Sequence, residues 1–201
     1  MAARDSLVRL PILEREHPAV NNDSVTSALI VIDMQRDVMA TCPAARAVLA
    51  TVNGLIADAR RSAAPLVFVR HQDEDLPPGS EAWQLDSRLD HREGDVVVEK
   101  TFRDAFAATD LDEVLRQAGA RRLVVTGAHS DYCVQTTALS ALAHGYDIAL
   151  VADGHAAESA VISGRQLDAA TVSGFVNSRM ATLRYPDRFV EVLPATDVSF
   201  G

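Results

Sequence analysis

The sequence predicts a three-layer α/β/α fold, in which helices cover both faces of a mainly parallel central sheet. Strand-like apolar runs and amphipathic helical segments alternate along the chain, which is typical of this architecture. A chain of 201 residues, 48% of them hydrophobic, is long enough to bury roughly 70% of the surface that it exposes when unfolded. Only 5% of the residues are aromatic, so the core consists mainly of Ala, Val, Leu and Ile, which suits helices packed on a buried sheet.

Charge and composition exclude several classes of function. The 19 basic residues against 28 acidic ones give a net charge of −9, which disfavours binding to nucleic acids and to anionic membrane surfaces. The N-terminus lacks the apolar core of a secretory signal, and no apolar stretch reaches the roughly 18 residues of a membrane span. We therefore expect a cytoplasmic protein, with residues 1–27 as an irregular lead-in or arm and residues 28–201 as a single domain. Its two cysteines, Cys42 and Cys133, form neither a disulfide framework nor a four-thiolate zinc site.

The first elements follow from apolar patterning. Residues 28–32 are a continuous apolar run, typical of a strand buried on both faces, and the run ends at Asp33. A helix is predicted from Pro43 to Arg61, because proline suits the first helical turn and apolar residues recur there on one stripe. Residues 65–70 are predicted as the second strand.

A long polar segment divides the second strand from the third. Residues 71–94 contain two prolines and two glycines, and irregular segments of this length tend to be functional. The third strand, 95–100, ends at Lys100. The later predicted elements are a helix from Asp110, as N-cap, to Gln117, strands at 121–127, 146–153 and 188–194, and helices from 130 or 131 to 144 and from about Glu158 to Leu183.

Three polar residues follow the carboxyl ends of predicted strands. The sheet brings Asp33, Lys100 and Cys133 to one edge, where ligands bind in folds of this kind. Taken singly, such residues often cap a helix, face solvent or fill a core. Cys133, however, comes just inside a helix N-terminus, where the helix dipole favours an anion and lowers a thiol pKa toward neutrality. In this arrangement Lys100 stabilises the thiolate, Asp33 carries its proton, and backbone amides of the turn bind an oxyanion.

Three segments carry a family resemblance. ALIVIDMQRD, VVVEKTFRDAFAATDL and LVVTGAHSDYCVQTTALSALAHGYDIALVADGHAA occur in the order and spacing of the isochorismatase-like cysteine hydrolases, a superfamily that includes nicotinamidases and N-carbamoylsarcosine amidases. The chain resembles these enzymes from about residue 28 to residue 192. The resemblance implies a three-layer α/β fold, a small-molecule substrate and a homodimer or homotetramer.

The resemblance also implies a set of site residues. Asp33, Lys100 and Cys133 correspond to a catalytic triad whose thiolate attacks a carbonyl or amidine-like carbon. A cis peptide bond is implied between Ala128 and His129, with the amides of His129 and Cys133 as the oxyanion hole. The His129 imidazole is not required by this chemistry.

The chain departs from the family at two places. Nicotinamidase-like members bind a divalent metal through a pattern of Asp and His, whereas His71, Asp73 and His91 stand here in a different order and spacing. We therefore expect no metal and no cofactor. Asp104 stands where relatives carry Ser or Asn, and it either caps the local turn or places a carboxylate near the substrate.

Four further residues are candidates for substrate binding. Gln35 either points into the pocket or caps a turn, and Trp83 either covers the substrate or makes a subunit contact. Phe102 and Tyr132 flank the predicted Lys and Cys of the triad and are candidate wall residues or packing residues. Arg103 either binds an anionic substrate or forms a surface ion pair.

The leading functional hypothesis is a cysteine hydrolase that cleaves a C–N bond of a small amide, carbamoyl compound or lactam through a thioester. A vinyl-ether hydrolase of the isochorismatase type is the second hypothesis, because that chemistry uses the Asp as acid and needs no nucleophilic Cys. A third is a catalytically silent oligomeric or ligand-binding module that retains the fold. The substrate itself is left open by the sequence.

Overall fold

A six-stranded, fully parallel sheet forms the centre of the protein in the computed structural model, which describes residues 26–200. Its strands lie in the order β3, β2, β1, β4, β5, β8, and a separate antiparallel hairpin pairs β6 with β7. The predicted fold class is confirmed. The strands are β1 Ser27–Ile32, β2 Leu66–His71, β3 Val96–Lys100, β4 Arg122–Ala128, β5 Asp147–Ala156, β6 Ala160–Ile162, β7 Arg165–Leu167 and β8 Val190–Leu193.

The central strand β1 is buried on both faces. Ala28, Ile30 and Ile32 belong to one hydrophobic cluster, whereas Leu29 and Val31 belong to the other. This alternation is the reason that the strand reads as an uninterrupted apolar run. β1 pairs in parallel with both β2 and β4, so the carboxyl ends of the three strands meet at one edge of the sheet.

Helices cover both faces of the sheet. They are α1 Arg36–Ala40, α2 Ala45–Arg61, α3 Leu111–Gln117, α4 Gln135–Ala143 and α5 Ala169–Ala181. The buried side chains of α1 and α2 join the cluster that contains Leu29, and those of α3, α4 and α5 join the cluster that contains Ile30. The predicted apolar stripe of α2 is confirmed, but the helix begins two residues after Pro43, and the five-residue α1 was not predicted.

The helix predicted from about Glu158 to Leu183 is wrong in its first half. Residues 160–167 form the β6–β7 hairpin, in which Ser163 and Gly164 make the connection with φ values of 51° and 76°. Positive φ at both loop residues is typical of the two-residue turns that favour hairpins. Helix α5 begins only after Asp168, whose side chain accepts a hydrogen bond from Thr171 N at 2.7 Å.

Two other predicted helices differ in how they begin. The segment predicted to be helical from residue 130 starts as a π-helical turn, Ser130–Val134, and continues as α4. Asp110 does stand at the N-cap of α3, but its side chain makes no capping hydrogen bond; the Thr109 hydroxyl accepts from Leu111 N at 3.3 Å instead.

The long polar loop between β2 and β3 is anchored to α2 and to the end of β1. The Asn53 side chain donates to Arg88 O and accepts from Asp90 N, each at 2.8 Å. Arg60 pairs with Asp90 at 2.5 Å and with Asp95 at 2.6 Å. These contacts fix the later part of the loop along α2 as it runs to the start of β3. At the end of β1, Asp86 N donates to Met34 O at 2.9 Å.

The predicted N-terminal arm lies, except for Thr26 and Ser27, outside the described residues. Between residues 26 and 200, no helix has the length and apolar character needed to cross a bilayer.

Candidate active site

Asp33 directly follows β1 and is buried, with only 2% of its surface exposed. Its φ of 49° lies in the left-handed region, which non-glycine residues adopt rarely and which is common at functional sites. This backbone conformation ends the strand and leaves the carboxylate on the wall of a cleft at the sheet edge.

Lys100, the last residue of β3, lies beneath the same cleft with a fully buried side chain. Its Nζ contacts Asp33 Oδ2 at 2.7 Å, Cys133 Sγ at 3.2 Å and His71 Nδ1 at 3.2 Å. An ammonium group has three N–H donors, so all three are used. The structure therefore brings together the three residues that the sequence placed at one edge, and it fixes the ammonium between the carboxylate and the thiol.

His71 extends this arrangement on its outer side. Its Nε2 lies 3.0 Å from Asp73 Oδ2, and because Nδ1 faces the Lys100 ammonium, the proton of a neutral ring belongs on Nε2. His91, the third residue considered as a metal ligand, packs edge-on against Phe68 elsewhere. Over residues 26–200, no group of three or more His, Cys, Asp or Glu side chains is placed to hold a metal ion.

The pKa of the Cys133 thiol is shifted upward, contrary to the expectation from the helix N-terminus. Burial, followed by the negative charge of Asp33, raises the pKa of Cys133 to about 12, although Lys100 opposes the shift. The predicted lowering toward neutrality is therefore wrong. Desolvation and a neighbouring carboxylate outweigh the helix dipole, whose effect amounts to about 0.3–1 kcal/mol at most exposed sites.

The pKa of the Asp33 carboxyl is shifted in the direction that favours acceptance of a proton. Burial raises its pKa above the ordinary value, although Lys100, Cys133 and His71 each pull it down. Its Oδ1 is buried and, among residues 26–200, has no partner at ordinary hydrogen-bond geometry, although the carboxyl and the thiol are close enough to shift each other's pKa. We interpret Oδ1 as the atom left available to receive a proton.

The turn between β4 and α4 carries the nucleophile candidate. The Ala128–His129 peptide bond in it is cis. His129 O accepts hydrogen bonds from Tyr132 N at 3.1 Å and Val134 N at 3.3 Å, which closes the π-helical turn around Cys133. The His129 ring lies 3.0 Å from Thr41 Oγ1, and His129 lines the same cleft as Cys133. The oxyanion hole formed by the amides of His129 and Cys133 stays a prediction.

A buried hydrogen-bond chain supports this turn from behind. His155 Nε2 lies 2.8 Å from Asn177 Oδ1, while Asn177 Nδ2 donates to Ala152 O at 3.0 Å. With the Asn177 oxygen as acceptor, the proton of His155 belongs on Nε2, and Nδ1 accepts from the Ser130 hydroxyl at 2.7 Å. Ser130 Oγ in turn lies 2.9 Å from Ser173 Oγ. A neutral His155 therefore satisfies every hydrogen bond of this chain.

This chain gives the protein a specific sensitivity to acid. Burial lowers the pKa of His155 below the value of 6.5 that it has when unfolded. As the pH falls through 6.5, the unfolded chain binds a proton that the folded chain does not, so stability is lost in this range. We expect the wild type to lose more stability than His155→Gln between pH 7.5 and 5.0. Urea unfolding at several pH values measures the difference, and parallel pH curves for the two chains would contradict it.

A cleft of about 390 Å³ opens above the triad, a volume suited to a small molecule. Its lining comes from α1, from the loop after β2, from the β4–α4 turn and from the segment after β5. The lining residues are Asp33, Asp37, Val38, Thr41, His71, Asp73, Asp75, Leu76, Arg103, Ala128, His129, Tyr132, Cys133 and Glu158.

Of the four predicted pocket residues, only Tyr132 lines this cleft. Gln35 is fully buried, and its amide is used by the backbone: Nε2 donates to His71 O at 2.8 Å and Trp83 O at 2.9 Å, and Oε1 accepts from His71 N at 2.8 Å. Trp83 lies with Arg70 stacked 3.3 Å over its ring, and Phe102 is 57% exposed. Gln35 therefore fixes the long loop to β2 and does not line the cleft, whereas the substrate roles of Trp83 and Phe102 stay predictions.

The remaining candidates are resolved by their contacts. Asp104 accepts a hydrogen bond from Phe106 N at 2.9 Å and caps its own turn, outside the cleft. Arg103 lines the cleft and stacks 4.1 Å above the Tyr132 ring, with no ion pair to the described residues. Cys42 is buried in the core, where burial raises its pKa to about 11.

Sequence reasoning missed several residues of the cleft wall. Thr41, Asp75 and Glu158 lie outside the three matching segments, and Asp37 ends the first of them. The four residues meet only in the folded chain. Of these four residues, only Asp75 lies in the segment 71–94, whose length and polarity indicated a functional loop.

Comparison with known proteins identifies relatives over most of the chain. The model of the isochorismatase domain family matches residues 27–173. Two streptothricin hydrolases of Streptomyces noursei are 32% and 34% identical over 173 and 175 residues, which is 83% of this chain but 68% and 62% of their own lengths. This chain thus spans about two thirds of these relatives.

A solved structure agrees over the whole described fold. The putative isochorismatase hydrolase from Oleispira antarctica superimposes with a TM-score of 0.79 at 28% identity, covering 86% of this chain and 95% of that one.

Proposed function

The chain belongs to the isochorismatase family of hydrolases, and from this premise we propose that it cleaves a C–N bond of a small amide, carbamoyl compound or lactam through a thioester on Cys133. One observation carries the proposal. A fully buried ammonium, Lys100 Nζ, contacts both the Asp33 carboxylate at 2.7 Å and the Cys133 sulfur at 3.2 Å. Such a triad has one group for each proton and charge that amide cleavage must move.

The reaction begins with the thiol protonated and Asp33 ionised against Lys100. When a carbonyl carbon lies against Sγ, the thiol proton moves to Asp33, the sulfur forms a bond to the carbon, and the carbonyl oxygen becomes an oxyanion. Lys100 stabilises the sulfur while it is negatively charged, and the turn amides stabilise the oxyanion.

Collapse of this intermediate breaks the C–N bond. The leaving nitrogen takes the proton from Asp33 and departs as an amine, or as the amine end of an opened lactam, and a thioester remains on Cys133. Water then attacks the thioester, giving a proton back through Asp33 and releasing a carboxylic acid and the free thiol. Both half-reactions return Asp33, Lys100 and Cys133 to their starting states.

The second hypothesis, vinyl-ether hydrolysis, uses an acid and no nucleophile. The position of the Cys133 sulfur within reach of Lys100 favours amide chemistry, because an acid-only mechanism has no use for a cation held against a thiol. Low reactivity of the Cys133 thiol in the free protein does not distinguish a catalytically silent module from an active enzyme. The raised pKa of Cys133 predicts low reactivity in both cases. Turnover and covalent trapping do discriminate.

We expect small amides, carbamoyl compounds and lactams that are substrates to leave an acyl group on Cys133 when the reaction is quenched in acid. Mass spectrometry of the intact chain and of its peptides measures the adduct. Cys42→Ala is the matched control, because it removes the other thiol and leaves the site intact.

The adduct is expected in the wild type and in Cys42→Ala, and it is expected to be absent in Cys133→Ala. Undiminished hydrolysis by Cys133→Ala would overturn the proposed mechanism and favour the acid-only alternative.

A further inference from the structure

The cleft above the triad is lined mainly by carboxylates. Among the residues that the structure describes, Asp33, Asp37, Asp73, Asp75 and Glu158 face it, against one guanidinium, that of Arg103. The acids come from different parts of the chain, namely the end of β1, helix α1, the long loop after β2 and the segment between β5 and β6. Negative charge therefore surrounds the approach to Cys133 instead of occupying one side.

Several of these charges are not neutralised within the protein. Asp33 forms an ion pair with Lys100, and Asp73 is hydrogen-bonded to His71. In the part of the chain that the structure describes, by contrast, Asp37, Asp75 and Glu158 form no ion pair with a Lys, Arg or His side chain. The buried Oδ1 of Asp33, unpartnered within residues 26–200, adds an acceptor at the bottom of the same cleft.

The carboxylates outnumber the one guanidinium that residues 26–200 contribute to the lining. Arg103 extends over the face of Tyr132, with its guanidinium carbon 4.1 Å from the ring centroid. This cation–π contact holds the guanidinium of Arg103 against the aromatic wall of the cleft. A cleft with low-dielectric walls and one sign of charge concentrates the opposite ions.

From these observations we propose that the site selects substrates bearing a positive charge, an ammonium or guanidinium group close to the scissile amide, carbamoyl or lactam bond. The proposal rests on the proposed function for the identity of the reacting bond. Asp37, Asp75 and Glu158 are the groups assigned to attract the cation, and they confer specificity without entering the chemical steps.

Charged thiol reagents test this directly, because they report the electrostatic potential at Cys133. The probes are 2-(trimethylammonio)ethyl, 2-sulfonatoethyl and methyl methanethiosulfonate, which are cationic, anionic and neutral. Each forms a mixed disulfide with the thiol and releases methanesulfinate. For Cys133, the rate with the cationic reagent is divided by the rate with the anionic reagent. This quotient is then divided by the same quotient for 2-mercaptoethanol, so that differences in the intrinsic reactivity of the reagents cancel. Peptide mapping assigns the modification to Cys133.

We expect this normalised ratio to be at least about ten at low ionic strength and to fall toward one as salt is added. Asp37→Asn, Asp75→Asn and Glu158→Gln are each expected to lower it about two- to three-fold, and the triple variant to bring it close to one. Glu93→Gln is the matched control, since Glu93 is exposed, lies before β3 at the opposite end of the strand and is outside the cleft lining. It is expected to leave the ratio unchanged.

A normalised ratio of one or below in the wild type would overturn the proposal, as would an equal effect of Glu93→Gln and the three cleft variants. The three single substitutions are at side chains that make no ion pair within residues 26–200, and each single variant tests the proposal without the triple variant. Because the reagents modify the thiol without turnover, the ratio is obtained whether or not an acyl-enzyme is found. A failure of this inference is therefore distinguishable from a failure of the proposed function.

Discussion

Lys100→Met is expected to lower kcat/KM by about 10⁴-fold, because residues of a catalytic triad act as a unit and the loss of one removes most of their joint effect. The substitution keeps the length of the side chain but removes the ammonium that contacts Asp33, Cys133 and His71. Burial already raises the pKa of Asp33 despite Lys100, and without the cation this pKa rises further. Protonation of Asp33 is then favoured more strongly, and the carboxyl accepts the thiol proton less readily.

The same substitution is expected to lower the free energy of unfolding by about 3–5 kcal/mol if Asp33 remains charged, because it leaves a buried carboxylate without its partner. The double variant Lys100→Met/Asp33→Asn removes both charges and is expected to recover much of the stability but none of the activity. This separation distinguishes a catalytic role from a structural one.

Arg116→Met is a suitable control for the Lys100 variants. It breaks the exposed ion pair between Arg116 and Asp112, and it is expected to change stability by less than about 1 kcal/mol and activity not at all. Denaturant unfolding and steady-state kinetics on one amide substrate measure all the variants. Activity of Lys100→Met within tenfold of the wild type would contradict the assigned role.

Gly127→Ala is expected to destabilise the protein by more than about 4 kcal/mol or to prevent folding, since severe effects of this size come from strain or overpacking at buried positions. Gly127 has a φ of 126°, and a Cβ placed on it would lie 2.0 Å from Ile32 O and 2.6 Å from Ile32 N. These are backbone atoms of the neighbouring strand β1, which cannot rotate away as a side chain does. Residue 127 pairs with Ile32, the residue directly before Asp33.

The matched control is Gly54→Ala in α2. Gly54 is an exposed helical residue, and a Cβ placed on it meets nothing within 4 Å. Here alanine is expected to stabilise the protein by about 0.5–1 kcal/mol, because it lowers the conformational entropy of the unfolded chain. Thermal and urea unfolding compare the two variants. A soluble Gly127→Ala chain with wild-type stability would show that β1 and β4 separate more easily at this edge than the packing indicates.

The positions of the elements were predictable where one physical signal dominated. β1 is an apolar run because both its faces are buried, and Asp33 and Lys100 stand out because a polar residue ends such a run. The hairpin at residues 160–167 was missed because its short strands carry too few residues to establish a period, although Ser163-Gly164 and the N-cap Asp168 mark its turn and its end.

The sequence by itself determined the fold class, through its alternating apolar patterns, and the family, through the resemblance of three segments. It also placed Asp33, Lys100 and Cys133 at one edge of the sheet, because each follows or ends a buried strand or the turn after it. Only the tertiary structure decided the protonation of the site and the shape of the cleft. The Cys133 pKa is raised because desolvation and Asp33, far away in sequence, outweigh the local helix dipole. Gln35 proved to fix a loop, and Asp37, Asp75 and Glu158 proved to share one cleft. Burial and the meeting of distant charges arise from long-range packing, on which local sequence patterns carry no information.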